Sequence, residues 1–254
     1  MKLRMFATAA VVAAAAAISA PAFAQDATGS VGVSASTTNI DVGGGDGDFQ
    51  TYGIDGSVAL QASENWTVTL GGNIATTDGD IGDDTGFGAS AALTYSGSDW
   101  RVGPTVGYTD NGDDGQWFVG GVAQKYLDNV TLTGAVNYAN IDDVDADVWT
   151  IGGDVRYFVS DNFRINGGLS YITVDAGGGD ANAWNVGLGG EYQFANTGWS
   201  VAGGWDHSTS DDIDFDADTF KIGVRYSFGG SLKERDRSGA DLGGAGLGAL
   251  GVLF

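Results

Sequence analysis

The stretch WRVGPTVGY, Trp100 to Tyr108, decides the fold. One parity carries Trp100, Val102, Pro104, Val106 and Tyr108; the other carries Arg101, Gly103, Thr105, Gly107 and, one step on, Thr109. A period of two is that of a β-strand, whose successive side chains point to opposite faces. This strand is therefore apolar on one side, polar on the other, and has an aromatic ring at each end of its apolar row. The eight-residue separation of the rings corresponds to about 26 Å along a strand, or about 20 Å of height at a tilt near 40°, close to an apolar band of about 25 Å bordered by aromatic girdles. The environment that selects such a face is a bilayer.

The same spacing recurs in Phe87/Tyr95, Phe118/Tyr126, Trp149/Tyr157, Phe163/Tyr171, Trp184/Tyr192 and Phe220/Phe228. Trp66 and Trp199 open two further rows, and all these aromatics are predicted to form the girdles. The charged residues within the strands fall on the opposite parity, so Asp55, Arg101, Lys125, Asp154, Arg156, Arg164, Glu191, Asp206, Lys221 and Arg225 are the predicted lumen lining. A soluble sandwich or lipocalin-like barrel shares the alternation. The girdles at fixed height, and a polar parity rich in Gly, Ser, Thr and Asn, favour lipid. Pro104 lacks a ladder donor, and a local bulge is the expected remedy.

Alternation of this kind extends from residue 30 to residue 228 and is interrupted by two sorts of connection. Tight turns lie at Ser63 to Asn65, Ser96 to Asp99, Asp128-Asn129, Ser160 to Asn162 and Asn196 to Gly198. Between them fall longer acidic loops: DVGGGDGD from 41, TTDGDIGDD from 76, TDNGDDG from 109, NIDDVDAD from 140, DAGGGDAN from 175 and STSDDIDFDAD from 208. Five turns and six loops separate twelve strands. An all-β chain with an even strand number and this asymmetry of connections has the layout of a transmembrane antiparallel up-and-down β-barrel.

Composition agrees. The 254 residues include 44 Gly, 2 Pro and no Cys, and carry a net charge of -22 with 43% hydrophobic residues, too many for a disordered acidic chain. The acidity and the lack of a basic patch argue against nucleic acid as a partner. No phosphate-binding glycine loop is supported, because no helix follows the glycines. Residues 1–24 have Lys2 and Arg4, an apolar run and Ala22-Phe23-Ala24, the pattern of an export signal with cleavage expected before Gln25. The barrel is then expected over 25–228, followed by a Gly-rich periplasmic tail over 229–254.

The last strand, FKIGVRYSF from Phe220 to Phe228, resembles the closing strand of Gram-negative outer-membrane barrels, in which alternating apolar residues lead to Tyr-x-Phe. With the export signal and the girdles, the chain resembles the small porin-like members of that superfamily. The resemblance implies residence in the outer membrane among lipid and lipopolysaccharide, and insertion by the outer-membrane assembly machinery. It also implies passive diffusion of small hydrophilic solutes, with no cofactor and no enzymatic activity. A preference for anionic solutes follows from the arginines only by analogy with small barrels that pass acidic sugars. The alternative is a closed structural barrel.

The tail departs from the resemblance, because family members often stop at that phenylalanine, whereas GGSLKERDRSGADLGGAGLGALGVLF follows here. A mobile periplasmic extension is the expectation, against a plug folded back into the lumen or a second recognition signal. Opposed lumen charges either set a transverse field across the pore or pair with one another and fill it. The acidic loops, DGDIGDD from Asp78 among them, are candidates for calcium or magnesium, although their spacing does not fit an EF-hand. An enzyme would have to use His207, which shares the aromatic parity with Trp205 and Thr209. Lipid-acting barrels pair such a His with a Ser, but here the motif reads His-x-Thr and no orienting Asn or Asp is identifiable.

Overall fold

A computed structural model describes residues 27–79, 84–110, 115–141, 146–176 and 179–244. Twelve strands follow in order: β1 Ala27–Val42, β2 Gly45–Gln61, β3 Trp66–Gly79, β4 Asp84–Ser96, β5 Trp100–Asp110, β6 Gly115–Tyr126, β7 Val130–Ile141, β8 Ala146–Ser160, β9 Phe163–Ala176, β10 Gly179–Gln193, β11 Trp199–Ser210 and β12 Phe215–Phe228. Each pairs antiparallel with the next, and β1 pairs with β12 from Gly29 opposite Phe228 to Val42 opposite Phe215. The sheet is a closed barrel with no free edge, the condition lipid imposes on a spanning sheet because unpaired backbone groups in hydrocarbon are costly. The expected export signal, residues 1–24, lies outside the described residues.

The two faces decide between membrane and soluble barrel. Large apolar side chains point outward and are uncovered: Ile222 is 68% exposed, Trp117 67%, Ile151 and Leu188 59% each. Inside, Thr69, Thr94, Thr131, Asn185 and Ser200 are fully buried. A lipocalin-like barrel would show the reverse. The outer rings gather near the two ends of the wall. Trp66, Tyr95 and Trp100 cluster at the short-turn end, as do Phe163, Tyr192 and Phe194, while Phe87, Tyr108 and Trp117 cluster at the loop end.

Strand β6 overturns part of the expected facing. Its sequence GQWFVGGVAQKY has adjacent aromatics, so either parity offers a ring. The outward row is Trp117, Val119, Ala123 and Lys125; Phe118 (4% exposed), Val122 and Gln124 are buried, and Tyr126 faces inward with them. Phe118 and Tyr126 are therefore not girdle residues, and Lys125 does not line the lumen. Lys125 instead pairs with Asp99 at the surface. Burying Phe118, Val122 and the Tyr126 ring outweighs the local spacing signal. Trp117 takes the girdle position, with Tyr52, Tyr138, Trp205 and Tyr226 as outward rings that the eight-residue rule passes over.

Two predicted girdle tyrosines keep the outward parity with different neighbours. Tyr157 of β8 does point outward, but its cross-strand partners are Val130 and Ile165, so its neighbours across the ladder are aliphatic and not aromatic. Tyr171 of β9 keeps the outward parity of Leu169 but is only half-exposed. Its ring lies 4.6 Å from that of Trp184, and its hydroxyl donates to Asn182 at 2.7 Å.

Two further expectations are corrected. Pro104 sits in no bulge, because the β4–β5 register is the same on both sides of it, from Ala92 opposite Thr105 to Tyr95 opposite Val102; rungs are simply missing between. The bulge is in β8, between Phe158 and Ser160. The connection DVGGGDGD is not a long loop either. Gly43 (φ +59) and Gly44 (φ +83) form a two-residue turn, and the strands run on to meet it.

Candidate functional site

The described part of the tail, residues 229–244, folds back onto the barrel instead of extending freely. Beyond β12, Ser231 caps a short helix, α1 (Leu232–Ser238), through a capping box with Glu234: the Ser231 hydroxyl accepts from the Glu234 N–H, and the Glu234 carboxylate accepts from the Ser231 N–H. These hydrogen bonds hold the Glu234 carboxyl below the usual carboxylate range. Gly239 ends the helix at φ +90, and a 3₁₀ turn follows over Ala240–Gly244. An added Cβ at Gly239 would lie 2.7 Å from an Arg101 Nη1, so both the backbone angle and the close approach require glycine.

The segment lies at the short-turn end. The Lys233 N–H donates to the Asp161 carbonyl at 3.1 Å, and Arg237 donates to the carbonyls of Leu127 and Asp128. It reaches opposite walls: the Thr69 hydroxyl of β3 donates to the Gly239 carbonyl at 3.0 Å, while β9 and β10 grip it through Arg164 and Glu191. Strands β3 and β9 are six positions apart in a ring of twelve. The tail therefore spans the mouth. Leu232, Arg235, Asp236, Ala240 and Leu242 are at most 1% exposed.

Most of the predicted lumen charges meet here. Arg235 Nη1 and Nη2 fork onto the Glu191 carboxylate at 3.0 and 2.6 Å, and its Nε donates to Asp241 at 2.8 Å. Glu191 also accepts from Arg164 Nη2 at 3.0 Å and from the Ser200 hydroxyl at 2.6 Å. Arg164 Nη1 pairs with Asp241. Arg156 holds Asp154 at 2.9 Å and Asp236 at 2.5 Å, and the Thr131 hydroxyl donates to Asp236 at 2.6 Å. Arg101 donates to the Thr94 hydroxyl, the Tyr126 hydroxyl and the Arg237 carbonyl at 2.9, 3.1 and 3.1 Å. Arg225 reaches Asp55 at 2.6 Å across β1, where Gly32 keeps the path between them open.

Burial alone would raise the Asp241 carboxyl, but the charges of Arg235, Arg164 and Arg156 outweigh it and hold the group well below the ordinary range. Burial likewise disfavours the Arg235 cation, and Asp241 and Glu191 more than restore it. Both groups are charged at neutral pH.

Asp206 and Lys221 lie higher in the lumen, on β11 and β12. The acidic DGDIGDD loop falls partly outside the described residues, which hold no cluster of three or more metal-ligating side chains. His207 does have a carboxylate beside it: Nδ1 is 3.2 Å from Asp218, its cross-strand partner, and Nε2 faces Asp216 at 3.8 Å. Both ring nitrogens thus face carboxylates.

Arg235, Asp236 and Asp241 are the participants that strand periodicity does not reveal. The signal was present in SLKE, the capping-box pattern, which marks a helix start just beyond the last strand.

The profile of the family described as Gram-negative porin matches residues 37–233. No curated protein matches the chain. Among solved structures, the chain is similar to the KdgM porin in complex with disordered oligogalacturonate, with a TM-score of 0.53 and 12% identity over 78% of this chain and 99% of that one. It is also similar to the translocator domain of the autotransporter NalP from Neisseria meningitidis, with a TM-score of 0.53 and 13% identity over 86% and 98%. A third is the CymD monoaromatic hydrocarbon channel, with a TM-score of 0.52 and 12% identity over 80% and 89%. At these identities the likeness is one of fold.

Proposed function

The chain belongs to the Gram-negative porin family, and on that premise we propose that it is an outer-membrane channel for small hydrophilic solutes, narrowed at its short-turn end by its own tail. The observation that carries this reading is the inversion of a soluble protein: apolar side chains exposed around the wall, hydroxyl and amide side chains inside a closed barrel. Two structurally similar proteins are described as channels, one with an acidic oligosaccharide and one for monoaromatic hydrocarbons. The arginine-rich mouth has more in common with the first chemistry. Export through the signal over residues 1–24, insertion by the assembly machinery and contact with lipopolysaccharide complete the proposal. Divalent cations at the acidic loops and the absence of enzymatic activity belong to it too.

The segment spanning the mouth also favours a closed barrel without channel activity. Planar-bilayer recording separates the two. Discrete steps from the full chain, larger after deletion of residues 230–254, are expected. Silence from both proteins would overturn the channel in favour of the closed barrel. Silence from the full chain alone would make the tail the closing element.

A further inference from the structure

We propose that the wall at the short-turn end is a binding site for solutes bearing several carboxylates, and that Asp236 and Asp241 of the tail occupy it as built-in stand-ins for such a ligand. The inference rests on the channel reading for the ligand's route and deepens it by naming the solute class.

The argument comes from what each wall donor is attached to. Arg156 is held by Asp154, Arg164 by Glu191, and Arg101 by Thr94 and Tyr126, all wall residues. Each guanidinium has a further N–H on the tail: Arg156 Nη1 on Asp236, Arg164 Nη1 on Asp241, Arg101 Nη2 on the Arg237 carbonyl. The Thr131 hydroxyl also ends on Asp236. Withdrawing the tail leaves these four donors converging on the vacated space, still oriented by their wall partners. That is a preorganised anion site, since each guanidinium, oriented by its wall partners, is left with an N–H that a carboxylate oxygen can accept.

Charge points the same way. The wall contributes Arg101, Arg156, Arg164 and Arg225 against Asp55, Asp154 and Glu191, an excess of one positive charge in a chain of net charge -22. The segment 230–254 has Lys233, Arg235 and Arg237 against Glu234, Asp236 and Asp241 and is neutral, so specific pairing and not bulk attraction docks it. A neutral solute that displaced it would leave buried guanidinium N–H groups unpaired, which is strongly disfavoured. A polycarboxylate replaces the Asp236 and Asp241 carboxylates on Arg156 and Arg164.

The chain has no cysteine, so a single one reports on the tail. Leu242→Cys, with Ala240→Cys as a second reporter should the first disturb docking, is reacted with a maleimide in the full-length barrel in detergent. Citrate is expected to raise the labelling rate about tenfold, the equilibrium equivalent of one charge-assisted hydrogen bond, while sodium chloride at equal ionic strength and glycerol leave it slow. Adding Arg164→Gln should abolish the citrate response. Equal acceleration by chloride would reduce the effect to screening and overturn the proposal. Equal acceleration by inorganic phosphate would overturn the assignment to carboxylates. Labelling indifferent to citrate in a barrel that conducts would overturn the inference and leave the channel standing. A citrate response in a barrel silent even without its tail would overturn the channel and leave the site.

Discussion

The two ends of the lumen are built on different principles. At the short-turn end, wall and tail interlock through Glu191, Arg164, Arg235, Asp241, Arg156 and Asp236, nearly all buried and each satisfied by at least one opposite charge. Toward the loop end the wall presents small polar groups, Ser208, Thr38 and Asn185 among them, whose hydrogen bonds run along or between neighbouring strands. A charge at the lower end is therefore committed to a neighbour on the wall or to the tail.

The contrast is broken most severely by Glu191→Gln. This leaves Arg235 and Arg164, both buried, sharing the single carboxylate of Asp241, and loss of one side of a buried ion pair costs about 3 to 5 kcal/mol. The variant should show a freed tail in limited proteolysis and a lower denaturant midpoint. Gly239→Ala comes next. A non-glycine residue in the left-handed region costs about 1 to 2 kcal/mol, and the Arg101 side chain must also shift. Tail protection should fall in the same assay while strand content by circular dichroism stays unchanged.

Acid titration probes the clamp when tail protection is the readout. The docked Asp241 carboxyl lies below its ordinary value, so its contribution is complete above the ordinary pKa of about 4 and fades only as pH falls through the depressed value. Tail protection should therefore persist from pH 7 to about pH 4 and decline below it; loss between pH 7 and 5 would contradict the arrangement. At the upper end, Asp206→Asn should move the ion-reversal potential toward anions and leave the tail's proteolysis unchanged. The smallest effect belongs outside the lumen. Lys125→Ala, which removes an exposed pair with Asp99, should alter neither conductance nor the unfolding midpoint.

The reading of β6 shows where local pattern loses its authority. In β5 the sequence Trp100 to Tyr108 offers one aromatic parity, and the wall adopts it. In β6 Trp117 and Phe118 are adjacent, the eight-residue spacing selects Phe118, and the barrel selects Trp117. The deciding contact is not local: register places Phe118 beside Gly107 of the neighbouring strand, where an added Cβ would strike its ring. Even where spacing finds the right face, register chooses the company, setting Tyr157 opposite Val130 and Ile165 but Tyr171 against Trp184. The arginines teach the same lesson. Arg164 and Arg225 were legible as lumen residues from parity, but Arg164's engagement with Asp241, 77 positions away, was not.

The sequence by itself determined the strand count, the alternation, the girdle spacing and hence the barrel, because each is a property of a dozen neighbouring residues and of the lipid they face. Only the tertiary structure decided which charges meet, which way an ambiguous strand turns, and that residues 231–244 span the mouth. Closing the ring brings Glu191 and Arg235 together across 44 residues, and no periodicity in the chain encodes a distance set by the width of the barrel.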